Sequence, residues 1–412
     1  MIPHGQGNPV SGLAATTSSG LIGRAAGLVR RFQETAGAID RPDGFPAAEL
    51  AELHRAGLLV APLAEALGGG SLGLDRARSA RAGATHALLR VLEEVGRGNL
   101  ALGRIYEGHV NALLLLQRWG RADQVEEWSA LARAGRVFGV WNSQAGDGVS
   151  IGAEDDQGRV EVRGAKTFAS GAGWIARPII TGALVDGRSQ MAVVPVDEVD
   201  ARVDRSGWQP LGMRASASHR VEFPGVRVSA RRCLLGPPGA YLQEPWFSSG
   251  AIRFAAVQLG GAAALLDATV ASLRAWGRAD DPYQRARVGT MAIAVESGRQ
   301  WLRAAAEVAD QRVDAGNRPV IGAIMAHAQM TRTALETICQ DVIRLAEQSV
   351  GVRGLIATHP IERIGRDLTT YLRQPAPDLA LAEVGRTWLD PDGFRPDRGL
   401  TDRGALDGRP DA

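Results

Sequence analysis

The side chains of this chain that could do chemistry stand far apart, and few have the spacing that chemistry demands. The run Leu67-Gly68-Gly69-Gly70-Ser71-Leu72-Gly73-Leu74 has the composition of a phosphate cradle. It lacks a preceding strand, a GK[ST] ending and GxGxxG spacing, so its backbone N–H groups have no common target and it reads as an interhelical turn. The two cysteines, Cys233 and Cys339, have no CxxC spacing and no neighbouring His pair. They suggest neither a zinc site nor a disulfide framework and read as buried free thiols. His219 lies on an alternating strand and reads as a partly exposed polar residue. Glu244, within Tyr241-Leu-Gln-Glu244-Pro-Trp246-Phe247, reads as a surface carboxylate beside two aromatics. Desolvated in a cavity, the same group would be a general base. By themselves Phe168-Ala169-Ser170 form an ordinary strand end, and Arg274 is a solvated helix charge.

The elements that must position these groups change texture twice along the 412 residues, of which 45% are apolar, ample for a large core. From about Leu21 to Arg136 apolar residues such as Leu88, Leu89, Leu92 and Val95 recur at three- and four-residue steps, the mark of helices. Between Val137 and Leu235 short apolar runs (159–163, 178–185, 191–195) alternate with Gly, Asp and Asn, which is strand and turn grammar. After the Gly236-Pro-Pro-Gly239 turn, helical periodicity returns near 249–277, 283–315, 320–350 and 359–373. The predicted fold is α+β, with a disordered N-terminus (1–20), an N-terminal helical domain (21–136), a middle β domain (137–240), a C-terminal four-helix bundle (241–387) and a disordered tail (388–412). Without strand–helix alternation a Rossmann-type sheet is not expected.

The formal net charge is +2, from 47 basic and 45 acidic residues, so no strong field points to nucleic acid or an anionic membrane as partner. Lys166 is the sole lysine. The first twenty residues lack a charged segment followed by an apolar core. No later run approaches the ~18 uninterrupted apolar residues of a membrane span. A soluble cytoplasmic protein is the expectation.

Near its end the chain reads Gln348-Ser-Val-Gly351-Val-Arg-Gly354, then His359-Pro-Ile-Glu362-Arg363-Ile-Gly-Arg366-Asp367-Leu, then Tyr371-Leu-Arg-Gln374-Pro375-Ala-Pro377. Earlier come Phe45-Pro46, Ala56-Gly57-Leu58-Leu59 and Pro62, then Gly164-Ala-Lys166-Thr167-Phe168-Ala169-Ser170-Gly171, then Gly212-Met213-Arg214-Ala-Ser216 through Phe223. In this order, over roughly residues 21–385, the chain resembles the acyl-CoA dehydrogenase family. The resemblance implies bound FAD. Phe168 takes the place of the aromatic wall beside the isoalloxazine, Ser170 that of the hydroxyl donor near N5, and Ala169 lies between them. Trp141-Asn142-Ser143 takes the place of the segment that hydrogen-bonds the flavin pyrimidine edge. Arg274, Gln284, Gln348 and Gly351 correspond to residues that reach a flavin held mainly by a neighbouring subunit, which implies a homo-oligomer, dimer or tetramer.

The family's α,β-dehydrogenation needs a carboxylate to take the Cα proton of an acyl thioester while flavin accepts hydride. Pro375 stands where the family places that Glu, and Ile252 stands at its alternative site, directly before Arg253. The resemblance makes Glu244 the candidate catalytic residue, because its loop corresponds to one that borders the family's acyl cavity. No metal ligand set is expected. The leading expectation is an FAD-dependent oxidoreductase of acyl-CoA dehydrogenase type acting on a small molecule, an acyl thioester or related substrate. The alternatives are a monooxygenase on the same fold, which uses reduced flavin and oxygen and needs no α-proton base, or a catalytically silent flavin-binding partner.

Overall fold

The computed structural model describes residues 17–74, 83–311, 318–373 and 376–390. Five helices come first: α1 (Ser18–Ile39), α2 (Ala47–Arg55), α3 (Ala84–Gly98), α4 (Leu100–Trp119) and α5 (Ala122–Arg133). Thr17 starts α1 by accepting the Gly20 N–H on its Oγ1 at 3.2 Å. Asn99 makes the corner between α3 and α4, its Oδ1 accepting the N–H groups of Ala101 and Leu102 at 2.9 and 3.2 Å.

The strands follow: β1 (Phe138–Trp141), β2 (Gln144–Ile151), β3 (Arg159–Ala169), β4 (Arg177–Ala183), β5 (Ser189–Val193), β6 (Arg202–Asp204), β7 (His219–Ser229) and, after a single-turn α6 (Ala230–Cys233), β8 (Leu234–Leu235). They pair in the order β6-β7-β3-β2-β4-β5-β8, with β1 parallel to β4. The longest ladder is antiparallel, β3 against β7, from Arg159 opposite Ser229 to Ala169 opposite His219. Its register breaks between Lys166 and Ala169. Both cysteines are free and buried, as their spacing suggested.

Five helices close the described chain: α7 (Ala251–Ala275), α8 (Pro282–Ala309), α9 (Arg318–Val350), α10 (Pro360–Tyr371) and α11 (Pro377–Leu389). The stretch Ser248–Ala275 is long and apolar enough by composition to cross a membrane, yet 67% of its most apolar window is buried inside the protein. It is the hub of the bundle, packed by α3, α4, α8, α9 and α10, and a helix surrounded on every side has no polar face to keep. Close approach to α3 depends on Gly260, where a Cβ would lie 2.1 Å from the Glu93 carbonyl oxygen.

Bundle and sheet are docked by α10. The Gly212 N–H donates to Thr370 Oγ1 at 3.0 Å, the Met213 N–H to Asp367 Oδ1, and Arg366 Nη1 to the Leu211 carbonyl at 2.8 Å. Arg366 also pairs with Asp40 beyond the end of α1, at 2.7 Å.

Three expectations shift. Helix α1 begins at Ser18, inside the stretch expected to be disordered, because Thr17 caps it. The tail boundary at Trp388 falls within α11, which continues to Leu389 against α9. His219 is 3% exposed, not partly exposed, because it begins the inner ladder of β7. Among the described residues neither of its ring nitrogens has a hydrogen-bond partner, and burial holds its pKa below the usual histidine value.

Gly260→Ala should destabilise the protein by about 2 kcal/mol or more, because backbone must move to admit the methyl group. Gly23→Ala on α1, where a Cβ meets nothing within 4 Å, should instead gain a few tenths to about 1 kcal/mol of helix propensity. Thermal unfolding of the two variants checks the contrast.

Candidate functional site

At the end of β3 the register break turns Phe168 outward. Its φ is +51° and it is 64% exposed, whereas Lys166 and Ala169 are both fully buried. A left-handed φ on a bulky residue costs energy and persists only where the surroundings impose it, a pattern common at ligand sites. The ring stands edge-on to Trp208, 6.2 Å between centroids. Two residues on, Ser170 Oγ lies 2.9 Å from Ser218 Oγ, which lies 2.8 Å from Ser216 Oγ, giving a short chain of hydroxyls. Gly171 then makes the turn, at φ +76°, where a Cβ would lie 2.5 Å from Ile175 Cδ1 and 3.3 Å from Ile105 Cδ1 of α4.

The β1–β2 corner meets this strand end. The Trp141 indole N–H donates to the Ser170 carbonyl at 2.9 Å, and the ring is 2% exposed. Trp141 therefore braces the strand from inside, while Asn142 and Ser143 are exposed. The Ser143 carbonyl accepts the Thr167 N–H at 3.0 Å. Trp141, Asn142, Ser143, Phe168, Ala169 and Ser170 are thus brought together.

One residue of this corner was not singled out by its spacing. Lys166 is fully buried, and its Nζ donates to the Asn142 carbonyl, Gln144 Oε1 and Thr181 Oγ1 at 3.2, 3.1 and 3.2 Å, all neutral acceptors. Burial pulls its pKa down to about 8. Its sequence signal was that it is the sole lysine in a chain whose other cations are arginines.

An exposed flat ring, a short hydroxyl and an exposed polar corner along one edge, with a cation behind it, suit an electron-rich planar heterocycle. Phe168 would wall the isoalloxazine of a flavin, Ser170 would donate to it, and Asn142 and Ser143 would face its polar rim.

The other predicted contacts lie at the bundle end formed by α7, α8 and α9, and among the described residues no hydrogen bond or ion pair joins them to the Phe168 edge. Arg274, Gln348 and Gly351 are exposed. Gln284 is 2% exposed and engaged within the bundle: in the amide orientation that satisfies it, it donates to Ser349 Oγ at 3.2 Å and accepts from Arg278 and Arg287 at 2.8 and 3.0 Å.

Further along α4, about 9 Å beyond Ile105 at 1.5 Å per residue, Asn111 enters a cavity of about 100 Å³. Leu88, Leu114, Leu115, Ile252, Ile324 and the Trp246 ring give it apolar walls, and Arg118 and Arg253 are its charged residues. None of the described lining residues is Asp or Glu. Arg104, Glu107 and Asn111, spaced to share one face of α4, form a polar row. Glu107 pairs with Arg104, Asn111 donates to Glu107, and Arg253 Nε donates to Asn111 Oδ1. The Tyr371 hydroxyl, influenced by Glu107 and Arg104, is buried without a hydrogen-bond partner among the described residues.

Glu244 makes no hydrogen bond or ion pair to this row among the described residues. Its two oxygens accept the Ser248 N–H at 3.0 Å and the Ser248 hydroxyl at 2.6 Å, closing the turn that enters α7. Gln374 and Pro375 lie outside the described residues.

The pH dependence of stability tests the buried lysine. A Lys whose pKa is lower folded than unfolded weakens the fold while charged, and this penalty fades as pH rises from about 8 toward the unfolded value. Relative to Lys166→Met, the natural protein should gain about 1–2 kcal/mol between pH 7 and pH 10, allowing for partial screening. Urea unfolding at the two pH values measures it, and a pH-independent difference would show that the ammonium is well solvated.

Comparison with known proteins agrees with this geometry. Residues 25–135 match the family model for the acyl-CoA dehydrogenase N-terminal domain, and residues 252–373 match that for the acyl-CoA dehydrogenase C-terminal domain. A dibenzothiophene monooxygenase of Mycolicibacterium goodii is 24% identical over 88% of this chain and 92% of its own. The mitochondrial short-chain specific acyl-CoA dehydrogenase of Bos taurus is 27% identical over 80% of this chain and 79% of its own. The FMN-bound structure of TdsC from Paenibacillus sp. A11-2 superposes with a TM-score of 0.79 at 22% identity, covering 90% of this chain and 97% of that one. With helical domains of that family on both sides of the sheet that carries Phe168 and Ser170, the chain belongs to the acyl-CoA dehydrogenase family of flavin-dependent oxidoreductases.

Proposed function

We propose that this chain is a flavin-dependent monooxygenase acting on a small organic molecule, supplied with reduced flavin by a separate reductase. One observation carries the reading: neither base position of the family holds a carboxylate. Ile252 occupies one, at 2% exposure, and Pro375 the other. The cavity beside Ile252 has arginines, and no Asp or Glu among its described lining residues. Removing a Cα proton from a thioester without a base is unfavourable, whereas oxygenation by reduced flavin and dioxygen has no such step. The similarity to a dibenzothiophene monooxygenase over most of the chain supports the same reading.

Bound flavin would supply the two-electron chemistry. We take FMN as the form used, in keeping with the FMN-bound relative. FAD is the competing form, and exposed Arg274, Gln348 and Gly351 are where its adenosine half would need contacts from a second copy. Exposed Val352, Leu355 and Ile356 at the same end support a homo-oligomer. The chain's own residues wall the ring (Phe168), donate to it (Ser170) and hold the corner against it (Lys166, Trp141).

The dehydrogenase reading is favoured by the short-chain acyl-CoA dehydrogenase relative, and would require Glu244 to leave Ser248. The two are separated directly. A monooxygenase transfers one atom of dioxygen to an oxidisable substrate when given NADH, FMN and a flavin reductase, and acyl-CoA does not bleach its flavin anaerobically. Bleaching by acyl-CoA that Glu244→Gln abolishes would establish the dehydrogenase instead. Ser170→Ala should weaken FMN binding about three- to tenfold, the effect of one lost hydrogen bond, in a fluorescence titration. Protein that takes up neither FMN nor FAD would end the flavin reading altogether.

A further inference from the structure

We infer that the cavity between α4 and α7 binds an organic oxyanion with a short apolar body, its carboxylate or sulfonate on Arg253 and its carbon chain against Leu114, Leu115 and Trp246. This deepens the preceding reading by naming a substrate class, and it rests on that reading only in calling the ligand a substrate.

Charge is the first argument. Arg253 makes no ion pair among the described residues, and its hydrogen bond goes to the neutral amide of Asn111. The nearby carboxylate, Glu107, is already taken up by Arg104 and by the Asn111 amide. Burial lowers the Arg253 pKa, with Glu107 and Tyr241 acting in the opposite direction, and none of the described residues that line the cavity is Asp or Glu. An incoming carboxylate or sulfonate would meet a guanidinium whose fork geometry suits two parallel hydrogen bonds.

Size and shape are the second. The cavity, about 100 Å³, is smaller than the ~150 Å³ cavity that holds benzene, which limits the apolar part to a few carbons. The Arg118 guanidinium lies 3.5 Å over the centre of the Trp246 ring and fixes that ring as a wall. A wholly apolar acyl tail is a poor occupant, because it would strip water from Arg253 and return no hydrogen bond.

Calorimetric titration of the purified full chain with butanoate, and with butanamide as its neutral near-isostere, tests the inference. Butanoate should bind at least tenfold more tightly than butanamide, and Arg253→Met should erase that preference. Equal affinities in the natural protein, or an undiminished preference in Arg253→Met, would overturn it. If Arg253→Met does not fold, Arg253→Lys keeps the charge but loses the fork and should weaken butanoate selectively, and the comparison in the natural protein decides by itself. Titrations with and without FMN keep the two claims apart. Butanoate selectivity in protein that refuses flavin leaves this inference standing and removes the flavin reading; flavin uptake without selectivity does the reverse.

Discussion

The grip of α10 on the Leu211–Met213 turn joins the two halves of this molecule, and the site depends on it. Asp367 is 4% exposed, accepts the Met213 N–H and lies 3.4 Å from Arg363, yet burial still lifts its pKa to about 6. A carboxylate is tolerated there because the Met213 N–H donates to it and Arg363 and Arg366 lie close, which offsets the nearby Asp40. From Met213 the chain has only a single 3₁₀ turn, Arg214–Ser216, before β7, so docking this turn also sets Ser216 and Ser218. Those two hydroxyls complete the chain that ends at Ser170. A helix of the bundle thus fixes a hydroxyl at the edge of the sheet.

The interior carries two cations in unusual settings. Lys166 stands behind the Asn142 corner with neutral acceptors, and Arg253 faces a mostly apolar cavity through a neutral amide. Buried cations without direct carboxylate partners are costly. Each sits where the proposed chemistry would bring electron density, one behind the heterocycle edge and one lining the proposed substrate cavity.

Much of this organisation was legible in residue order. Periodicity placed the bundle helices within a few residues of their observed starts, and the expected strands at 159–163, 178–185 and 191–195 fall on β3, β4 and β5. The Phe168–Ser170 edge was legible through resemblance, since nothing in the local pattern marks a strand end as a site. The end of α11 was misjudged by two residues, because the Asp-, Gly-, Arg- and Pro-rich run from Trp388 onward read as a tail while the helix continues to Leu389. His219 and Lys166 were hidden for a different reason: alternation shows which strand residues share a face, but which face is inner depends on the neighbours.

The sequence by itself determined the α+β order, the absence of a carboxylate at positions 252 and 375, and the identity of the one lysine, because these are matters of residue type and local period. Tertiary structure decided that Lys166 lies under the Asn142 corner, that Glu244 closes its own turn, and that Arg253 meets Asn111 across 142 residues of chain. Such contacts follow from how α4, α7 and the sheet pack, and packing responds to the volume and charge of all the partners together, which no short stretch of chain encodes.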